Sequence, residues 1–178
     1  MTLPIDSGKW IVDPTHSRMG FIAKHLGFTK VRGSFTDYTS EINVGDSLET
    51  SSIKVTANLN SVNTGNEDRD NHLKGADFFG GSENPTMEFI STSIKGEADE
   101  FEISGDLTIN DKTMPVTFKS EFGGTLVDPF GNTKAGFEAK AEINRTDFGI
   151  EWNVPVGSGL LVSEKVKVEL DIQLQPAG

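Results

Sequence analysis

Three histidines are the first residues to test for chemistry: His16 in Pro14-Thr15-His16-Ser17, His25 after Lys24, and His72 in Asp70-Asn71-His72-Leu73. Asp13 and Asp70 stand near two of them, which is the raw material of a metal site. Such a site needs ligands paired at helical or strand spacing, and neither His-Glu-x-x-His nor a His pair of that kind occurs. No metal is expected. A serine nucleophile would need a Gly-x-Ser-x-Gly elbow, and Gly157-Ser158-Gly159 lacks that spacing and reads as a turn. The acidic pairs Asp68/Asp70 and Asp99/Glu100 fall at a helix start and in a loop, where solvated charge is the ordinary role. No Gly-rich phosphate loop appears, there is no cysteine, and no cofactor or catalytic residue is expected. One catalytic alternative stays open: His72 or His16 as a general base acting on a small hydrophobic substrate.

The aromatic residues say more. Twelve Phe stand against one Tyr, so the aromatic surface has almost no polar handles. Phe21, Phe35, Phe89, Phe118 and Phe137 fall on apolar faces of predicted strands. Phe28, Phe78, Phe79, Phe130, Phe148 and Trp152 fall in loops or helical turns. Apolar groups in connecting segments need a cover, either a packed barrel end or a ligand.

Strands must position these side chains, because most of the sequence alternates with period two. The clearest run sets Phe101, Ile103, Gly105, Leu107 and Ile109 against Glu102, Ser104, Asp106, Thr108 and Asn110. The runs at 166–174, 53–59 and 135–143 follow the same rule, and weaker versions occur at 17–25, 31–38, 87–94 and 116–122. That gives eight strands, each polar on one face and apolar on the other, as in an antiparallel sheet. Asn110-Asp111-Lys112 and Asp128-Pro129-Phe130-Gly131-Asn132 supply turns. Thr64-Gly65-Asn66-Glu67 has capping-box spacing, with Glu67, Asp68 and Asp70 at the positive end of a helix. A short helix is therefore predicted over 66–74, extended by a turn through Phe79 and stopped by Gly80-Gly81. A second helical turn is predicted over 144–150. Eight such strands hide their apolar faces in a sandwich or a closed barrel, and eight closed strands leave room for side chains or one small ligand. Gly20, Gly33, Gly105, Ala57, Ala139 and Ala141 on or near those faces suit an interior with free volume, and equally suit bends or bulges.

Charge and length narrow the partners. With 16 Lys+Arg against 27 Asp+Glu, the net charge of −11 repels phosphate backbones, so no nucleic acid is expected. The same acidity argues against charge-driven adhesion to anionic membranes, leaving Phe28 and Phe130 as candidate loops for transient apolar contact. No apolar run is long enough for a spanning helix, so no integral membrane association is expected. The 178 residues suit one domain. The first nine residues show no basic-then-apolar leader, from which a cytoplasmic protein is expected.

Several segments carry a resemblance. Val12-Asp13-Pro14-Thr15-His16-Ser17, Phe28-Thr29-Lys30-Val31-Arg32-Gly33-Ser34-Phe35, Arg69-Asp70-Asn71-His72-Leu73-Lys74-Gly75-Ala76-Asp77-Phe78-Phe79 and Asn144-Arg145-Thr146-Asp147-Phe148-Gly149-Ile150 resemble the YceI-like polyisoprenoid-binding family. Pro85-Thr86-Met87-Glu88-Phe89, and Gly105-Asp106-Leu107-Thr108-Ile109 leading to Pro115-Val116, add support. The likeness runs in order from about Trp10 to Leu174. It implies an all-β, lipocalin-like antiparallel barrel with one or two short helices, often a homodimer, whose apolar tunnel holds a polyprenyl quinone, a polyprenyl pyrophosphate or a fatty lipid. Many relatives are periplasmic, and the missing leader departs from them.

The family's Arg-Asp-x-His-Leu pattern falls on Arg69, Asp70, His72 and Leu73, and its Arg-x-Asp-Phe-Gly pattern on Arg145, Asp147, Phe148 and Gly149. Arg69, His72 and Arg145 either clasp the barrel end or meet a polar head, an arginine suiting a pyrophosphate and a histidine a quinone carbonyl. The expected tunnel wall is Phe21, Phe28, Phe35, Leu73, Phe78, Phe79, Phe89, Phe137, Phe148 and Trp152.

Overall fold

The computed structural model describes residues 4–80 and 85–177. Residues 1–3, where the leader reading begins, and Gly81 of the breaker pair lie outside them. The strands are β1 (Gly8–Val12), β2 (Arg18–His25), β3 (Thr29–Phe35), β4 (Tyr38–Val44), β5 (Ser52–Asn58), β6 (Val62–Asn63), β7 (Thr86–Gly96), β8 (Glu100–Ile109), β9 (Lys112–Val127), β10 (Thr133–Asn144), β11 (Pro155–Val156), β12 (Gly159–Leu160) and β13 (Lys165–Pro176). Among the described residues, one helix, α1 (Glu67–Leu73), and two 3-10 turns, Leu59–Ser61 and Arg145–Phe148, complete the elements.

These strands close an eight-stranded antiparallel barrel, because three of the eight staves are each broken in two. The β1–β4 and β2–β3 pairings run along the same two staves, and both β1 and β2 pair with β13. Likewise β5 pairs with β4, and β6, just beyond the 3-10 turn, pairs with β3. The ring runs β1/β2, β3/β4, β5/β6, β7, β8, β9, β10, β13 and back to β1/β2. Each of the eight strands expected from alternation falls on one stave. The halves β1 and β4, which alternation did not mark, are additions. Pro14 lacks an N–H and ends pairing after β1, while the Asp13 carboxylate takes up the Thr15 N–H at 3.0 Å.

An up-and-down ring sorts the connections by end. The upper end carries the β2–β3 tip, α1 and its following segment, the Asn110-Asp111 turn and the whole stretch 145–164. The lower end carries the 45–51 and 97–99 connections and the 128–132 tip.

Two bulges interrupt the pairing, one inside the weakly alternating run of β7 and one in β9 just past residue 122. Register shifts between Ser91 and Ser93 opposite β8, and at Gly136/Phe137 opposite β9. Inner residues of β7 therefore switch parity from Phe89 to Ile94, both buried.

Inner-face glycines turn out to hold aromatic rings, not empty space. A Cβ on Gly33 would stand 2.4 Å from Cζ of Phe21, its cross-strand partner. One on Gly105 would stand 2.6 Å from the Phe89 ring and 2.3 Å from the Ile90 carbonyl oxygen. Each glycine lets a phenylalanine lie flat on the wall. The free volume lies elsewhere, beside Ala57 and Ala139.

Candidate functional site

The inner faces of the strands converge on a cavity of about 200 Å³. On β13 its border includes Val166, Val168, Leu170 and Ile172, a run of about 20 Å at roughly 3.3 Å per residue. Across the bore stand Ile53, Val55, Ala57, Met87 and Phe89, and the wall also takes in Ile103, Leu107, Phe118 and Ala139. Arg145 alone among the lining residues carries a charge. Below the cavity, Trp10, Val44 and Leu174 are buried without bordering it, so the lower end is packed shut. Above it the cover is α1, its following segment and the 145–164 stretch, which send Leu73, Phe78, Phe79, Ile150 and Val162 to the lining.

Seven of the ten expected wall residues border this space: Phe21, Phe35, Leu73, Phe78, Phe79, Phe89 and Phe137. Their rings are coupled, with Phe21–Phe35 centroids 5.6 Å apart, Phe35–Phe79 5.8 Å and Phe89–Phe118 5.2 Å. Three stand elsewhere. Phe28 sits on the β2–β3 tip and is 84% exposed. Phe148 is buried in the packing around the upper 3-10 turn. Trp152 lies outside the lining and packs on Phe78, centroids 5.3 Å apart.

The polar candidates are each occupied within the protein. Arg69 is exposed and donates from Nε to Thr64 Oγ1 and from Nη2 to the Thr64 carbonyl, both at 2.8 Å. Asp70 accepts from the Thr64 N–H and hydroxyl. The Arg-Asp pair thus ties α1 to the strand before it, and Asn66, not Thr64, caps the helix by accepting the Arg69 N–H. Thr64 is missing as cap because its hydroxyl is engaged by Asp70. His72 stands off the cavity, its Nε2 2.9 Å from Asp77 Oδ2 and its ring edge-on to Phe78 and Trp152 at 5.0 and 4.8 Å. With His72 turned outward, Leu73 points in.

Arg145 is 5% exposed. It donates from Nε to the Ser163 carbonyl and from Nη1 to those of Ile150 and Trp152, each at 2.9 Å. Nη2 reaches the Val162 carbonyl at 3.4 Å. Burial pulls its pKa below the ordinary guanidinium value, with the nearby Glu164 charge opposing, and such a group stays charged. The guanidinium therefore gathers the upper cover around itself. Gly149, at φ 78°, then turns the chain out of the 3-10 turn.

His16 lies on the outer wall, 63% exposed at its side chain, with Nδ1 2.9 Å from Asp13 Oδ2. Asp13 is buried and also takes Thr15 Oγ1 at 2.7 Å and Lys134 Nζ at 3.0 Å. These bonds, the His16 one foremost, hold its carboxyl far below the usual range against the cost of burial. Neither His16 nor His72 borders the cavity. Among the described residues no group of three His, Asp or Glu could hold a metal ion, and no helix is long and apolar enough to cross a membrane.

Sequence reasoning missed the aliphatic wall, including Ile53, Val55, Ile103, Leu107 and Val166. The signal was present in the same period-two faces that gave the strands. The chemistry available here is burial of a hydrocarbon.

A model of the YceI-like domain matches residues 10–174. A UPF0312 protein of Pseudomonas aeruginosa is 39% identical over 140 residues, 78% of this chain and 73% of the relative. The crystal structure of the Campylobacter jejuni YCEI protein aligns with a TM-score of 0.73 at 29% identity, covering 87% of this chain and 90% of that one. A polyisoprenoid binding domain from Saccharophagus degradans shares the fold, with a TM-score of 0.69 at 14% identity over 94% of this chain and 98% of that one. Matched from the first barrel stave to the last, through both motifs that tie down its upper cover, the chain belongs to the YceI-like domain family.

Proposed function

We propose that this protein binds a long-chain isoprenoid or similar lipid inside its barrel and carries or stores it without chemical change. The observation that carries the reading is an unfilled bore of about 200 Å³ whose border is hydrocarbon apart from Arg145. Dry apolar cavities of about 150 Å³ take up benzene-sized molecules, so a space of this size and lining favours a larger apolar guest. Burial contributes about 0.8 kcal/mol per methylene, so ten buried carbons give roughly 8 kcal/mol before ordering costs. Useful affinity follows without a head-group contact. The polyisoprenoid binding of the Saccharophagus degradans domain, on the same fold, supports this class of ligand. A polyprenyl quinone or pyrophosphate is the finer proposal. The general-base alternative draws no support from His16 and His72, which both stand off the lining.

The test is to denature the purified protein, extract it with organic solvent and identify lipid by mass spectrometry, then to offer polyprenyl quinone to the emptied protein. Stoichiometric lipid, or quinone uptake read as quenching of the tryptophan fluorescence, is the expected result. An extract without lipid together with no uptake overturns the proposal.

A further inference from the structure

The described surface has nine large apolar side chains that stand exposed, and five of them lie together at the upper end of the barrel: Leu26, Phe28, Val154, Val156 and Leu160. Topology and hydrogen bonds make them one patch. The Leu26 N–H donates to the Leu161 carbonyl at 2.9 Å, His25 bridges Val162, and Lys24 N–H donates to Ser163 Oγ at 2.9 Å. The β2–β3 tip therefore lies alongside the β11–β12 hairpin, and Val162 between them reaches the cavity. The tip itself is an unusual choice of residues. Leu26, at φ 55°, sits in the left-handed region where Gly or Asn is at home, followed by Gly27 at φ 75°. A leucine there works against the local backbone preference and keeps an apolar side chain at the apex.

The hairpin that bears this tip is basic. Residues 14–36 contain Arg18, Lys24, Lys30 and Arg32 and not one of the 27 acidic residues of this acidic chain. Lys24 and Lys30 are direct cross-strand partners, a like-charge pairing that costs stability in an isolated hairpin. Neither they nor Arg32 forms an ion pair among the described residues. Residues 152–163 carry no charge at all, with Glu151 and Glu164 at their borders. The lower tip also exposes Leu126, Val127 and Phe130, but beside Asp128 and at the packed end.

We infer that the upper end docks on an anionic bilayer, with Phe28, Leu26 and the β11–β12 hairpin entering the interface and Lys24, Lys30 and Arg32 meeting lipid phosphates. Apolar side chains flanked by unpaired cations fit such a surface, each cation adding to the attraction. The upper end also carries acidic side chains, Glu67 and Asp68 on α1 among them, so the basic β2–β3 hairpin is the part of it that faces the anionic surface. This deepens the lipid-carrier reading and rests on it, since docking at this end places the bore where a lipid enters or leaves.

The test is cosedimentation of the full chain with vesicles of phosphatidylcholine alone or mixed with about one-third phosphatidylglycerol. Binding is expected to the mixed vesicles only, and to weaken at high salt. Leu26→Asn, which suits the left-handed position better than leucine, together with Phe28→Ser should lower the partition coefficient at least about tenfold. Lys24→Gln with Lys30→Gln should do the same, and Phe130→Ser should leave it unchanged. The inference is overturned if the mixed vesicles bring down no protein, or if Phe130→Ser costs as much as the tip variants. It is equally overturned if the tip variants instead abolish self-association in vesicle-free sedimentation, which would make the patch a face between two copies. Solvent extraction and quinone uptake of the protein before vesicles are added separate the two readings. Docking with neither extractable lipid nor quinone uptake defeats the carrier proposal alone, and lipid without docking defeats only this one.

Discussion

If the bore is truly unfilled, filling it from the wall should stabilise the emptied protein and shut out the ligand. Ala57 and Ala139 are buried, border the cavity and sit on different staves. An empty cavity costs about 24 cal/mol per Å³, so 200 Å³ corresponds to about 5 kcal/mol of forgone stability. Ala57→Leu with Ala139→Leu adds six carbons, and at about 0.8 kcal/mol each these recover a similar 5 kcal/mol. For a chain of this length 1 kcal/mol moves the melting temperature by about 2–4 °C, so the lipid-free double variant should melt about 10–20 °C above lipid-free wild type. Loading wild type with polyprenyl quinone should raise its melting temperature comparably, and the double variant should gain almost nothing. Calorimetry on delipidated and reloaded samples of both proteins makes the comparison. A double variant destabilised by the 1–3 kcal/mol typical of overpacking would refute the reasoning, because only a solid core resists added methylenes.

Other perturbations probe the frame around the bore. Arg145→Ala should cost about 3 kcal/mol or more in urea unfolding, since it strips donors from several buried carbonyls, and Arg145→Lys should recover only part because an ammonium lacks the fork. The Asp13 carboxyl, depressed in the folded state, contributes stability that is present above the ordinary carboxylate range and is lost as pH falls through its folded value. Asp13→Asn should therefore cost about 1–3 kcal/mol at neutral pH, with the gap to wild type closing in acid, and His16→Ala should move the acid unfolding midpoint upward. Gly33→Ala must displace the Phe21 ring that stands 2.4 Å from the new methyl. A loss of about 1–3 kcal/mol is expected, and Phe21→Leu in the same chain should restore part of it.

The barrel was legible because one rule, period-two alternation, governs every stave, and its weak spots have local causes. Alternation fails to mark β1 and β4 where Pro14 and the 36–37 break cut staves short, and it blurs in β7 where a bulge reverses inside and outside. The short helix was readable from its acidic first turn, although the capping residue was displaced by two positions once Asp70 claimed Thr64. The site was harder. A phenylalanine on an alternating face has its direction fixed by the pleat, so Phe21, Phe35, Phe89 and Phe137 were found. In a connection nothing local fixes direction, and Phe78, Phe28 and Phe148 look alike in sequence while ending at the cavity, in solvent and in packed core. Gly33 and Gly105 were left between free space and a bend, because sequence does not show the ring that lies across the wall to use them.

The same distinction bears on what this barrel recognises. Arg69, His72 and Arg145 are the polar residues best placed by sequence to meet a head group, yet each is committed within the protein, to Thr64, Asp77 and a set of backbone carbonyls. A pyrophosphate competing for Arg145 would have to leave buried carbonyls unpaired, at a cost comparable to what the new contact returns. Selection then falls to the hydrocarbon part, where the wall discriminates by width and length. One extra or missing methylene is worth only about 1–3 kcal/mol in an apolar pocket. A series of prenyl chains of increasing length, offered with the same quinone head, should show affinity climbing with each added unit until the bore is full and then levelling. The same chain offered with different heads should bind within about tenfold. Strong dependence on the head at fixed tail would mean that Arg145 or His72 releases its present partner on binding, and that the upper cover rearranges around the ligand.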